Sequence, residues 1–341
     1  MATADESSLI QVVQPAPSSS WVAASKEDAL EPDLPIIDAH HHFSEHWGGY
    51  LPADLLADAN GHRIEASVYV QCGWHYRSDG PEALKPVGET EQVIAVTRPV
   101  ASASMSVAAG IVGYADLNLG AAVDEVLSAQ VRAGEGRLRG IRYSAARDRE
   151  FKHGVLPRPR EHLYAEPAFR AGYACLANHG LSFDAWVYHP QLEDVLELAA
   201  AFPDTPLILD HLGGLLGVAR YADDRKLAIA EWLPWMKRLA QCPNVALKVG
   251  GLGTAVFGFD FSGRTAPPSS LELADLWRPV IEPALDVFGA SRCMFESNFP
   301  VDRSGAGYGV VWNAFKRLAA GASAADKAML FHANAKRVYR L

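Results

Sequence analysis

Residues 35–43 read Pro35-Ile36-Ile37-Asp38-Ala39-His40-His41-His42-Phe43. A β-branched run that opens on proline and ends in three histidines is a short buried strand terminating in chemistry. Side chains two apart on a strand share a face, so His40 and His42 point one way and His41 the other. Paired imidazoles at the C-terminal end of a strand suit a divalent cation, or an anionic oxygen where no metal is bound. The plain alternative is a solvated histidine cluster in a loop. An Ile-Ile-Asp strand directly before it disfavours that reading.

Similar apolar runs recur downstream at 66–72, 109–117, 138–143, 181–188, 206–209, 245–249 and 292–295, most of them bounded by Gly, Pro or polar residues. Such runs are typical of strands buried on both faces of a parallel sheet. Helical spacing lies between them, as in Val123, Val126, Leu127 and Val131, and in the long stretch from Leu273 to Phe288 that Gly289 stops. The segment before the second strand, Leu51 to Asn60, is the shortest and weakest helix. Eight strand–helix pairs close either as an open doubly wound sheet or as a (β/α)8 barrel. No GxGxxG follows the first strand, which removes the main support for a dinucleotide fold. Histidines and other polar residues leaving the strand ends favour the barrel, with its site at the C-terminal ends of the strands.

Composition narrows the field. The chain has 341 residues, 49% of them apolar and 21% charged, and a formal charge of -9. That acidity excludes a basic stripe for nucleic acid, and no run of about 18 apolar residues offers a membrane span. Four scattered cysteines make no disulfide framework, which points to a cytoplasmic setting. Residues 1–33, rich in Ser, Ala, Pro and acids, read as a flexible N-terminal arm without a secretory pattern. Residues 34–341 read as one barrel domain. Barrels of this size commonly pair, so a homodimer is an open expectation.

The remaining strands contribute further candidates. Arg142, in the fourth strand, carries a guanidinium suited to a substrate carboxylate. His189 and His211 each stand just past an apolar run. Lys248 lies inside the seventh strand, where a lysine must be paired or functional. Glu296 and Asn298 share a face by alternation in the eighth, with Asp302 following in the loop and Gln71 ending the second. The loops 43–56, 73–86, 145–167 and 254–268 are expected to set substrate choice. Their Trp47, Trp74, Tyr76, Tyr164 and Phe257 would wall a ring or simply pack. A local basic insert (Arg147, Arg149, Lys152, Arg158, Arg160) reads as a solvated loop or a lid.

Three motifs together resemble a known group: Asp38-Ala39-His40-His41-His42, then Asp210-His211-Leu212-Gly213, then Glu296-Ser297-Asn298-Phe299-Pro300-Val301-Asp302. They are similar to the DxHxH-like, sixth-strand histidine and GSDFP-like motifs of the amidohydrolase superfamily, in its amidohydrolase-related lactonase branch. The likeness runs from about Pro35 to Leu341, closing on Asn334-Ala335-Lys336-Arg337-Val338-Tyr339. It implies a (β/α)8 barrel hydrolysing lactones of sugar acids or of ring-cleavage dicarboxylates, with decarboxylases and hydratases among the relatives. A small acidic molecule is the implied partner.

By that resemblance His40, His42 and His211 would be catalytic, and would be the ligands if a metal, zinc foremost, is bound. Gln71, Arg142, His189, Lys248 and Asp302 would bind substrate. Asn298 stands where the family usually has aspartate, and an amide cannot accept and release a proton near neutral pH. The role of base then passes to Glu296, Asp302 or a histidine, and the site holds either one divalent metal or none. A barrel that only binds a small acid is the non-enzymatic alternative.

Overall fold

A computed structural model describes residues 9–45, 49–101, 104–153 and 158–341. Trp47, named above as a candidate wall residue, lies outside them. The eight strands of the main sheet are β1 (Ile36–His41), β2 (Ile64–Val70), β3 (Ser106–Gly113), β4 (Leu138–Ser144), β5 (Ser182–Trp186), β6 (Leu207–Leu209), β7 (Val245–Val249) and β8 (Cys293–Phe295). They pair in sequence order, every neighbour parallel. Closure between β8 and β1 comes just past the strand end, where His41 bridges Phe299 and His42 N donates to the Phe299 carbonyl at 2.7 Å. The result is a (β/α)8 barrel.

Each strand is followed by a helix: α1 (Pro52–Asp58), α2 (Val87–Thr97), α3 (Val123–Ala133), α4 (Pro167–Asn178), α5 (Leu192–Ala201), α6 (Arg225–Leu239), α7 (Ser270–Phe288) and α8 (Tyr308–Leu318). Caps set the boundaries: Ser269 accepts from the Glu272 amide at the start of α7, and Asp224 from the Leu227 amide at the start of α6. Trp232, Trp277 and Trp312 on the last three helices are fully buried against the barrel wall. Each contributes roughly 2–3 kcal/mol by leaving water. Among the described residues no helix is long and apolar enough to cross a membrane.

The floor of the barrel is largely apolar. Ile37, Ala39, Val68, Ile208 and Met294 pack with Ala335 and Tyr339, which arrive from the C-terminal helix Asn334–Tyr339 and close the floor.

Simple alternation along β1 fails at one point. Asp38 and His41 of β1 pair with Ser67 and Tyr69 of β2, so β1 carries one residue more than its partner between them. This bulge shifts the parity of the strand. Asp38 turns to Ser297 and Tyr308, while His40 and His42 enter the barrel mouth. His41 packs outward on Phe43 and Tyr69.

The expected flexible arm is anchored over residues 9–33. Ile10–Val12 pairs with Phe151–His153, Trp21 Nε1 donates to the Arg264 carbonyl at 2.9 Å, and Leu30 N donates to Asn313 at 2.8 Å. Gln14 binds the loop after β7 on both sides of Thr254, donating to the Gly253 carbonyl and accepting from the Ala255 amide. Composition is silent about such long-range backbone partners, which is why the segment reads as loose in sequence.

Candidate active site

The histidines of β1 meet residues from four other strand ends. The His42 Nδ1–H donates to the Val70 carbonyl at 2.7 Å, which leaves Nε2 as its lone-pair nitrogen. That Nε2 lies 3.2 Å from His40 Nε2 and 3.3 Å from Asn298 Oδ1. The Asn298 amide is oriented by its other end, where Nδ2 donates to Thr254 Oγ1 at 3.1 Å and Asp302 Oδ1 at 2.8 Å.

His211 comes from the opposite side of the mouth. Its backbone is left-handed (φ 50°), as is that of Leu212 (φ 56°), an uncommon conformation for side-chain-bearing residues that re-aims the ring into the barrel. Its Nδ1 lies 2.7 Å from Glu296 Oε1, and Trp186 packs edge-on against the imidazole. Two glycines make room for this pair. A Cβ on Gly251 would sit 2.3 Å from His211 Nδ1, and one on Gly250 would sit 2.4 Å from the Glu296 carbonyl.

Glu296 is the hub. One oxygen faces His211 Nδ1 and its backbone N–H, and the other lies 3.0 Å from His40 Nδ1. Oε1 is thereby committed to orienting His211 while Oε2 faces His40 Nδ1 without a hydrogen bond, an arrangement that fits positioning of the imidazoles better than the base role expected of Glu296.

Beneath the histidines, Lys248 contacts Asp184 Oδ2 at 2.7 Å, Asp210 Oδ1 at 3.1 Å and His40 Nδ1 at 3.1 Å. All four groups are fully buried. Burial works against the ammonium, but Asp184 and Asp210 more than offset it and hold the Lys248 pKa above its usual value. Burial also pushes His40 and His42 well down, and His211 down to about 3, so the rings are neutral at pH 7. The same desolvation pushes Glu296 well up.

The other sequence candidates divide. Arg142 reaches the site from β4: one Nη donates to the Gln71 carbonyl, its Nε is buried without a hydrogen bond, and its charge acts on all three histidines. Gln71 is buried beside it. Asp302 is consumed internally, accepting from Asn298 Nδ2 and the Gly253 amide; burial pushes its carboxyl up to about 8. Lys248 lies below the mouth rather than in it.

His189 stands apart from the cluster. It accepts from the Leu216 amide at 3.2 Å and packs on Tyr221 at 4.8 Å, so its place past an apolar strand reflects loop packing. The insert's Arg147 and Arg160 pair with Glu161 and Glu166, which fits a solvated loop. Asp184 and Tyr339 were missed in the sequence. An acid inside the buried run Ser182-Phe183-Asp184-Ala185-Trp186 is the counterpart of Lys248 and could have been sought as its partner.

The donors present fit a divalent ion. His40, His211 and Glu296 offer ligand atoms within 4.8 Å of one another. The 3.2 Å gap between the Nε2 atoms of His40 and His42 matches the edge of about 3.3 Å expected for two nitrogens on one tetrahedral zinc.

Comparison with known proteins agrees with this architecture. Residues 37–341 match the family model described as amidohydrolase. The chain is 34% identical over 295 residues to the uncharacterized protein y4mH of Sinorhizobium fredii, covering 86% of each. It is 29% identical over 315 residues to an L-fucono-1,5-lactonase of Burkholderia multivorans, covering 89% of this chain and 96% of that one. An amidohydrolase from Burkholderia multivorans solved with bound zinc superposes with a TM-score of 0.68 at 25% identity, over 90% of this chain and 99% of that one. With the match running from the first strand to the last residue and the histidines set at the strand ends, the chain belongs to the amidohydrolase family of enzymes.

Proposed function

We propose that this enzyme opens a lactone that carries a carboxylate, by attack of water on the ring carbonyl. The observation that carries the reading is the convergence of His40, His42 and His211 with Glu296, beside the half-buried guanidinium of Arg142. The lactonase relatives support it.

Arg142 would take the substrate carboxylate through the N–H groups it does not spend on Gln71. His211 and Glu296 form an acid–imidazole dyad: the carboxylate fixes the ring and stabilises the imidazolium as water yields its proton. Asn298, unable to exchange that proton, would present Oδ1 as a neutral acceptor. The oxyanion would form near the paired Nε2 atoms of His40 and His42. A divalent ion held by the paired Nε2 atoms of His40 and His42 would supply Lewis-acid polarisation of the carbonyl when bound, which leaves the lone pair of His211 for the proton. The leaving alkoxide recovers the proton from His211, which completes the balance.

The test is a panel of sugar-acid and dicarboxylate lactones, read by base titration of released acid with and without chelator. Acid release on at least one lactone supports the reading. Carbon dioxide release from an aromatic acid instead would replace it with decarboxylation, and binding without turnover would reduce the barrel to an acid binder.

A further inference from the structure

His40 Nδ1 faces two opposed groups. Lys248 Nζ lies 3.1 Å away in hydrogen-bonding geometry. Glu296 Oε2 lies at 3.0 Å, yet remains without a hydrogen bond. A neutral imidazole has one N–H and one lone pair, so Nδ1 accepts from the ammonium or donates to the carboxylate, never both.

With His40 Nδ1 accepting from Lys248, the hydrogen bonds run in one direction. Tyr339 OH and Lys248 Nζ each donate to Asp184 Oδ2 at 2.7 Å. Lys248 donates to His40 Nδ1, the His40 Nε2–H donates to His42 Nε2 at 3.2 Å, and the His42 Nδ1–H ends on the Val70 carbonyl. When Nδ1 accepts from Lys248, Nε2 of His40 carries the proton and has no lone pair for a cation.

We propose that Lys248 and Glu296 form a two-position tautomer switch on His40 that governs uptake of a divalent metal. With Lys248 engaged, His40 is closed to the ion. With its proton on Nδ1 and directed at Glu296, the Nε2 lone pair is released. His40 is neutral in both states: Nε2 gives one proton to solvent and Nδ1 takes one. Lys248 keeps its protons and its two aspartates, which is why Asp184 and Asp210 are needed under the site. The carboxyl that receives the Nδ1–H comes from Glu296, two residues before Asn298, so this chain's eighth strand supplies the open state. The inference concerns metal loading and is independent of the bond the enzyme cleaves.

Two measurements on the full-length protein test it. Long-range nitrogen–proton NMR of the wild-type imidazoles should show His40 as the Nε2–H tautomer without metal and as the Nδ1–H tautomer after zinc is added. Zinc affinity, by competition with a chromophoric chelator, should rise at least tenfold in Lys248→Met. The paired Lys248→Met/Asp184→Asn protein, which leaves Asp184 uncharged, should give the same result if the single variant fails to fold. Glu296→Gln should bind zinc at least tenfold more weakly. An Nδ1–H on His40 in the metal-free protein overturns the proposal. So does zinc affinity unchanged or reduced by loss of Lys248, or zinc uptake by none of these proteins. Tighter zinc with no tautomer change reduces Lys248 to a repelling charge and also overturns the switch.

Discussion

His189 and His211 carry the same signature in the sequence, each one residue or two past an apolar strand, and they come to different ends. His211 meets a buried carboxylate and a second imidazole. His189 meets a backbone amide and a tyrosine ring. Strand position alone does not make a histidine functional. What separates the two is a partner from across the barrel: Glu296 faces His211, whereas the carboxylate nearest His189 is Glu231, on α6, at 4.0 Å.

The comparison can be broken from the His211 side first. Glu296→Gln removes the carboxylate that orients His211 and faces His40, and turnover should fall on the order of a hundredfold to a thousandfold, checked by initial rates on the lactone the panel identifies. A loss of less than about fivefold would mean that the imidazoles orient themselves. Gly251→Ala acts one step further out, since its Cβ would overlap the His211 ring and its backbone is left-handed (φ 71°). Turnover should drop about tenfold or more, and stability to urea should fall by roughly 1–3 kcal/mol. Normal kinetics would show that His211 can shift freely. The smallest effect belongs to His189→Ala: rates within about threefold of wild type, and stability lower by about 1 kcal/mol for the lost bond to Leu216.

Much of this molecule is legible in its sequence, because eight short apolar runs with intervening helical spacing leave few architectures, and histidines at strand ends choose between them. The site was legible where side-chain type and strand parity suffice, as for His40, His42 and Glu296. It was illegible where backbone irregularity decides. Nothing in Asp38-Ala39-His40 announces a bulge, yet that one extra residue sends Asp38 to Ser297 and Tyr308 instead of the mouth. Nor does Lys248 reveal its partners, since Asp184 lies in another strand and Tyr339 near the end of the chain. The anchoring of residues 9–33 rests on backbone carbonyls such as Gly253 and Arg264, which carry no residue-type signal.

The most direct measurement compares turnover of His211→Ala with that of His189→Ala under identical conditions, each protein first shown to be folded by circular dichroism. His211→Ala is expected to lose at least a hundredfold while His189→Ala stays close to wild type. Equal rates in the two variants would contradict it.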